Sequence, residues 1–273
     1  MATAAAAGAV APRTRPVYTR IGALGLVLIA LAPATLLTAG LASGVDIGGE
    51  IGFLSTIIVL PLLAAALVWR FGRWAKVLGI VISLLAALAM FWAVFGLAYP
   101  ASPGDFLPGV LLPMGLVLGV GGNIAALVQT RRGHLQTEAT AGERRVRNTV
   151  LGLLAVAIVV SGALSLAGRQ TVADTAAAGA TPIEMVDFAF APRTVEATVG
   201  EPVRLLVHNS DGFVHTITSQ ELGFNETVLP GSQALVEFTP QRSGTFVYYC
   251  VPHSNGPDAD PEGDEMAGRI VVR

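Results

Sequence analysis

Four side chains near the end of the sequence are suitable ligands for a soft metal ion. Cys250 and His253 form a Cys-x-x-His motif, His215 precedes them, and Met266 follows them. A thiolate and two imidazoles in a trigonal arrangement, with a distant thioether on the axis, suit copper in both the Cu(I) and the Cu(II) state. The residue types and their order therefore predict one copper ion and one-electron transfer.

Alternative interpretations of these residues remain open. A lone buried cysteine such as Cys250 is also a common apolar filler, although a dinuclear copper site is excluded because it would need a second cysteine and the sequence has one. The axial position has other candidates. Glu265 or Met185 could replace Met266, or the position could be empty, and each choice would change the redox potential.

The elements around these ligands are short, β-branched segments separated by turn residues. Such spacing is typical of an antiparallel β-sandwich. Side chains alternate along a strand, so Phe246, Tyr248 and Cys250 are predicted to point inward and Tyr249 outward. Strands are predicted at 183–190, 202–207, 214–219, 234–239, 245–250 and 269–272, with turns at 199–201, 209–212, 230–232 and 243–244.

Three stretches give this region a specific resemblance. They are Asn-Ser-Asp-Gly-Phe-Val-His-Thr at 209–216, Gly-Thr-Phe-Val-Tyr-Tyr-Cys-Val-Pro-His at 244–253, and Met-Ala-Gly-Arg-Ile-Val-Val at 266–272. Together they resemble the plastocyanin/halocyanin branch of the cupredoxins, over most of residues 182–273 and none of the preceding part. The resemblance implies a Greek-key β-sandwich with a type 1 blue copper site whose ligands are His215, Cys250, His253 and Met266. It also implies an electron route through the His253 ring, with Tyr249 as a second route.

The first part of the chain has the composition of a membrane protein. Hydrophobic residues make up 53% of the 273 residues and charged residues 13%, and the mean hydropathy is +0.64. Apolar runs of about 20 residues can cross a bilayer as helices. Five spans are predicted in the lipid bilayer, at 21–42, 51–69, 77–98, 106–128 and 148–168. A Gly115-x-x-x-Gly119 pattern followed by Asn123 predicts close helix packing in the fourth.

Positive charges predict which side of the membrane each loop occupies. The loops 43–50 and 99–105 contain no lysine or arginine. The N-terminus is therefore predicted to be cytoplasmic and everything after residue 169 extracytoplasmic. Eleven cationic residues fall in the segments predicted to be cytoplasmic: Arg13, Arg15, Arg20, Arg70, Arg73, Lys76, Arg131, Arg132, Arg144, Arg145 and Arg147.

The predicted organisation is a cell-membrane, multi-pass protein in four parts. These are a cytoplasmic basic N-terminus at 1–20, a transmembrane region at 21–168, a linker at 169–181 and a copper domain at 182–273. The first span could also act as a secretory signal. Its apolar length favours an uncleaved signal-anchor, and cleavage would not move the copper domain to the other side.

The copper domain is acidic, with 13 acidic residues against 5 arginines from residue 182 onward. Several acids lie in the loop 254–265. They could attract a basic redox partner such as a c-type cytochrome, although a solvated loop explains them equally well. A calcium site is the weaker alternative. His208 and His134 lie outside the motif and are expected to be ordinary residues.

These observations predict a membrane-tethered electron carrier. Its redox partner would be a c-type cytochrome or a membrane oxidase, and no nucleic acid partner is expected. An enzyme would need a second metal centre or an open coordination position with acid-base residues, so an enzyme is not expected. The alternative function is copper capture and delivery to a membrane oxidase or a copper-resistance system.

Overall fold

A computed structural model describes residues 16–44, 51–133, 138–263 and 265–273. The helices precede the strands along the chain, as the apolar runs predict. Residues 1–15 of the predicted N-terminal segment, together with His134 and Asp264, lie outside the described residues. The helices are α1 Val17–Ser43, α2 Ile51–Arg70, α3 Arg73–Ala86, α4 Met90–Gly96, α5 Pro103–Arg132, α6 Ala141–Ala167 and the short α7 Asp174–Ala177.

Four of the described helices are long and apolar enough to cross a membrane, namely α1, α2, α5 and α6. The prediction of five spans is wrong by one, because the run 77–98 does not form a single helix. A 3-10 turn at Ala87–Ala89 separates α3 from α4. Ala89, at φ −83° and ψ 0°, lies outside the α-helical region. The i to i−4 hydrogen-bond ladder is therefore interrupted between Ala86 and Met90.

Glycines allow α1 and α5 to pack closely, as the Gly115-x-x-x-Gly119 pattern predicts. A Cβ added at Gly25 of α1 would lie 2.1 Å from the Gly119 nitrogen, and one added at Gly115 would lie 2.8 Å from the Ile29 nitrogen. The Asn123 side chain is fully buried in the same bundle. Small residues thus let the two backbones come together, as is common between membrane helices.

In the part of the chain that the structure describes, nine strands form two sheets packed as a sandwich. The first sheet has the order β2-β1-β4-β7 and the second β3-β9-β8-β5-β6. The predicted sandwich is confirmed, but β1 pairs with β4 and β3 with β9 in parallel, so the sheets are not purely antiparallel. The strands are β1 Thr181–Val186, β2 Ala189–Ala191, β3 Thr194–Ala197, β4 Val203–Asn209, β5 His215–Ser219, β6 Phe224–Val228, β7 Gln233–Phe238, β8 Gly244–Tyr249 and β9 Ala267–Val272.

The core of the sandwich ends next to the predicted ligands. Phe246, Tyr248 and Cys250 are all buried, as the alternation predicts, and Met266 packs in the same cluster. The predicted strand 183–190 is divided by a turn at Asp187 and Phe188, which both have positive φ. Cys250 and Met266 thus belong to the core itself, beside residues of β5, β8 and β9.

The segment between the bundle and the sandwich is tied to the sandwich by hydrogen bonds. Gln233 donates its backbone N–H to the Gln170 carbonyl at 2.7 Å, and the Val172 N–H donates to the Gln233 side-chain oxygen at 3.1 Å. Apart from α7 and a turn at 178–179, residues 169–180 have no regular secondary structure. It therefore follows the surface of the sandwich.

Candidate metal centre

Three of the four predicted ligands meet at one end of the sandwich. His215 is the first residue of β5, Cys250 directly follows β8, and His253 ends the 3-10 turn Val251–His253 that comes directly after Cys250. The two histidine Nδ1 atoms are 3.1 Å apart. The Cys250 Sγ lies 3.7 Å from Nδ1 of His215 and 3.4 Å from Nδ1 of His253. One nitrogen from each imidazole and the thiol sulfur therefore face a common point.

The separations of these donors suit a single metal ion. Bonds from a first-row ion to imidazole nitrogen and thiolate sulfur are about 2.0–2.3 Å long. Three donors at that distance in a trigonal arrangement lie roughly 3.6 Å from one another. His215, Cys250 and His253 form a group that could hold a metal ion, and their spacing would need little adjustment to do so.

A buried carboxylate fixes the orientation of the His215 ring. Asp211 Oδ2 lies 2.8 Å from His215 Nε2, and both side chains are fully buried. Burial raises the pKa of the Asp211 carboxyl, but hydrogen bonds from His215, Phe188 and Asp187 outweigh it, and the pKa is lowered. A carboxylate at Nε2 keeps the proton there and leaves Nδ1 free as a ligand, a common arrangement behind metal-binding histidines.

Cys250 is fully buried and belongs to a small hydrogen-bonded unit. The Thr216 backbone N–H donates to Cys250 Sγ at 3.3 Å, and the Val251 N–H donates to the Thr216 hydroxyl at 2.8 Å. Burial raises the pKa of the Cys250 thiol to about 11. In the metal-free site the cysteine is therefore a thiol, and a metal ion must displace its proton.

His253 is held by a tight turn and is half-buried. Its backbone N–H donates to the Cys250 carbonyl at 3.1 Å, and Pro252 lies in the first turn of the 3-10 helix. The Phe188 ring lies edge-on, with its centroid 4.8 Å from that of His253. Burial lowers the pKa of His253 to about 4, with a further contribution from His215, so its ring is neutral at pH 7.

Met266 closes the ligand loop through its backbone. Cys250 donates its N–H to the Met266 carbonyl at 2.9 Å, and Met266 donates its own N–H to the His253 carbonyl at 3.2 Å. The Met266 side chain is 1% exposed. Glu265 is occupied elsewhere, because its carboxylate accepts hydrogen bonds from Asn255 and from the Asp260 N–H. Glu265 is therefore held within the loop by these hydrogen bonds.

The fold around this cluster has known counterparts. Residues 153–260 match the family model of the cupredoxin-like domain. The chain contains a cupredoxin-like domain. The match begins within α6 and ends before Met266 and β9, so three of the four candidate ligands fall inside it.

Several solved structures are similar to the cupredoxin domain. One is the metal-binding domain of the Cu(I)-exporting P-type ATPase CopA of Streptococcus pneumoniae D39 with Cu(I), with 18% identity, coverage of 34% of this chain and 82% of that chain, and a TM-score of 0.27. Another is a reduced amicyanin variant with 23% identity, coverage of 37% and 86%, and a TM-score of 0.26. An oxidised amicyanin variant has 19% identity, coverage of 38% and 92%, and a TM-score of 0.28. No curated protein sequence matches this chain.

Tyr249 is not at the surface of the cupredoxin domain, contrary to the prediction from strand alternation. It is 3% exposed and packs with Ala259 and Ala267. The loop between His253 and Met266 folds back over its ring. Tyr249 and Val251 nevertheless line a pocket of about 540 Å³ beside the site.

The remaining polar residues divide between those at the metal centre and those away from it. His208 contacts Glu184 at 3.0 Å on the half-exposed surface of the cupredoxin domain, apart from the three-residue cluster. The acidic loop is fixed by Arg193, which donates to the carbonyls of Pro261 and Gly263.

Sequence reasoning missed the contact between Asp211 and His215, because it treated Asp211 only as a turn residue. The four-residue spacing was the only available signal.

Proposed function

We propose that this chain is a membrane-tethered type 1 copper protein that carries one electron at a time on the extracytoplasmic face. The ligands would be His215, Cys250, His253 and Met266. The observation that carries the proposal is the convergence of two imidazole nitrogens and one thiol sulfur within 3.1–3.7 Å of one another. When bound there, copper would supply a Cu(I)/Cu(II) couple.

The surrounding residues suit electron transfer because they hold the donors in place. His215 is fixed by Asp211, and Cys250 accepts the Thr216 N–H. The turn at 250–253 is held by its own backbone hydrogen bonds and by the Ser254 hydroxyl, which donates to the Cys250 carbonyl at 2.8 Å. A preformed site limits the rearrangement between oxidation states. The same rigidity supports an electron carrier over an enzyme.

The contacts between the bundle and the cupredoxin domain support the extracytoplasmic placement. The positive-inside pattern predicts that α1 ends and α5 begins on the extracytoplasmic side. This orientation requires that the run through α3 and α4 also crosses the bilayer, although a 3-10 turn interrupts it. These are the helix ends that approach the domain, since a Cβ added at Gly212 would lie 2.8 Å from the Ala39 carbonyl and one added at Gly104 would lie 2.7 Å from the Gly212 carbonyl. The domain therefore rests against the ends that the charge pattern assigns to the outside.

Two routes could carry the electron to a partner. His253 is the more exposed of the two imidazole ligands. The second route leaves through Tyr249, which follows Tyr248 in β8 and lines the neighbouring pocket. Acidic side chains in 254–265 would attract a basic partner such as a c-type cytochrome or the basic face of a membrane oxidase. Its association rate should then fall as salt rises.

The test is the optical and EPR spectrum of the full-length protein loaded with Cu(II). A copper-thiolate bond would give an intense band near ~600 nm and narrow hyperfine splitting. His253→Ala should abolish both, whereas the matched control His208→Ala should keep both. Weak colour with ordinary tetragonal EPR in the unmodified protein would refute the proposal and favour copper capture and delivery. An unchanged blue band and reduction rate in His253→Ala would refute the ligand assignment.

A further inference from the structure

A carboxylate from the helical bundle reaches the segment that carries His215. Asp105 is the third residue of α5, and its Oδ2 accepts the backbone N–H of Val214 at 2.8 Å. The Ser102 hydroxyl, at the N-cap of α5, donates to the same oxygen. Ser102 is fully buried and Val214 is 1% exposed. A hydrogen bond thus joins two parts of the chain that are 109 positions apart.

The backbones around this hydrogen bond are in close contact. A Cβ added at Gly104 would lie 2.7 Å from the Gly212 carbonyl oxygen and 3.2 Å from the Phe213 ring. One added at Gly212 would lie 3.2 Å from the Ser43 hydroxyl. Residues 212–214, which precede His215, are therefore seated between the end of α1 and the beginning of α5.

Asp105 also brings a negative charge close to the metal ligands. Its carboxylate interacts electrostatically with His215. It also adds to the raised pKa of the Cys250 thiol, after the larger effect of burial. Negative charge near a metal ion favours its higher oxidation state, and the effect is larger where water is excluded.

We propose that Asp105, supplied by the membrane helix α5, is a positioning residue for the copper site. It holds the segment before His215 through Val214, and its charge lowers the reduction potential. This inference rests on the proposed copper function. The complete copper site would therefore include Asp105 from the helical bundle. An isolated cupredoxin domain would lack this charged group.

Two substitutions separate the two roles of Asp105. Asp105→Asn keeps an oxygen that can accept the Val214 N–H but removes the charge, whereas Asp105→Ala removes both. In the copper-free full-length protein, hydrogen exchange at Val214 should be unchanged in Asp105→Asn and faster in Asp105→Ala. Glu196→Gln is the charge control, because Glu196 pairs with Arg273 on the surface.

The reduction potential tests the electrostatic role. In the copper-loaded full-length protein, both Asp105 variants should raise the ratio of reduced to oxidised protein at a fixed potential at least about threefold. For a one-electron couple this is about 28 mV, because a tenfold change corresponds to about 59 mV. Glu196→Gln should leave the ratio unchanged.

Gly104→Ala gives an independent perturbation that keeps the charge. Its new methyl group would push α5 away from Gly212, so Val214 should exchange faster and the potential should rise. Gly121→Ala is the control on the same helix, because a Cβ there meets nothing within 4 Å. A blue protein with unchanged potentials in both Asp105 variants, or with unchanged Val214 exchange in Asp105→Ala, would overturn this inference alone. A missing blue band in the unmodified protein would overturn the proposed copper function, and Val214 exchange would still test the contact.

Discussion

Replacement of Asp211 by alanine should weaken copper binding and destabilise the cupredoxin domain. Asp211 is 2% exposed. It accepts the N–H groups of Asp187 and Phe188 at 2.8 and 3.1 Å and contacts His215 Nε2 at 2.8 Å. The substitution therefore removes three acceptor contacts at once. It also frees the His215 ring to choose the other tautomer.

The magnitudes follow from these contacts. Loss of a hydrogen-bonded partner behind a metal-binding histidine typically weakens metal binding 10–100-fold, so we expect a copper dissociation constant higher by about that factor. The hydrogen bonds of the Asp187 and Phe188 N–H groups are part-buried, so leaving these donors without an acceptor costs at most about 1–3 kcal/mol each. An intermediate total of about 2–4 kcal/mol would speed hydrogen exchange in β5 roughly 30- to 700-fold, at about 1.4 kcal/mol per tenfold.

The assay combines competition with a Cu(I) chelator and hydrogen exchange of the copper-free full-length protein. Ser210→Ala is the matched control, because Ser210 is adjacent to Asp211 but bonds to Glu184. Asp211→Asn should fall between the control and Asp211→Ala, since the amide oxygen can still accept one N–H. A copper affinity within twofold of the unmodified protein, with unchanged exchange in β5, would refute the positioning role of Asp211.

Three other predictions concern the metal ligands and the core. Because the Cys250 thiol has a pKa of about 11 and must lose its proton to bind copper, the apparent affinity should rise about tenfold per pH unit between pH 6 and 8. His253, with a pKa of about 4, adds no pH dependence there. Calorimetry in buffers of different ionisation enthalpy should count about one released proton, and a pH-independent affinity would contradict this reasoning. Gly268→Ala would place a Cβ 2.3 Å from Cζ of Tyr248, and such overpacking should lower the free energy of unfolding by about 1–3 kcal/mol in a thermal measurement. Gly121→Ala is the control, because its Cβ meets no neighbour and it should cost less. Equal effects of the two substitutions would contradict the predicted clash. Tyr248→Phe removes the hydrogen bond to the Pro192 carbonyl at 2.9 Å and should cost about 1–2 kcal/mol in the same measurement, whereas an unchanged melting temperature would show that this bond adds little.

Local patterns were sufficient to predict most strands and the three residues that converge, His215, Cys250 and His253. Cys250 and His253 are three residues apart, so one 3-10 turn brings them together whatever the rest of the chain does. The strands β3 (Thr194–Ala197) and β6 (Phe224–Val228) were missed because they are short and polar. β3 pairs with β9, which is distant in the sequence. β6 pairs with β5 across a turn that the sequence signals only weakly.

Features that depend on tertiary contacts were not predicted. Alternation placed Tyr249 at the surface, but the loop after His253 covers it. The contact from Asp105 to Val214 joins the bundle to the sandwich, and periodicity carries no information about such an approach. The 3-10 turn between α3 and α4 was also missed, because hydropathy reports the length of an apolar run and not the continuity of its hydrogen bonds.

The position of β9 in its sheet affects the order in which the domain can be built. β9 lies between β3 and β8, although β3 is synthesised more than 60 residues earlier. Until residues 267–272 have been made, β3 lacks its neighbour and the second sheet cannot be completed. The loop from Cys250 to Met266 is anchored at both ends only after β9 has paired with β8. The order of synthesis therefore delays a preformed metal site until all four candidate ligands are present.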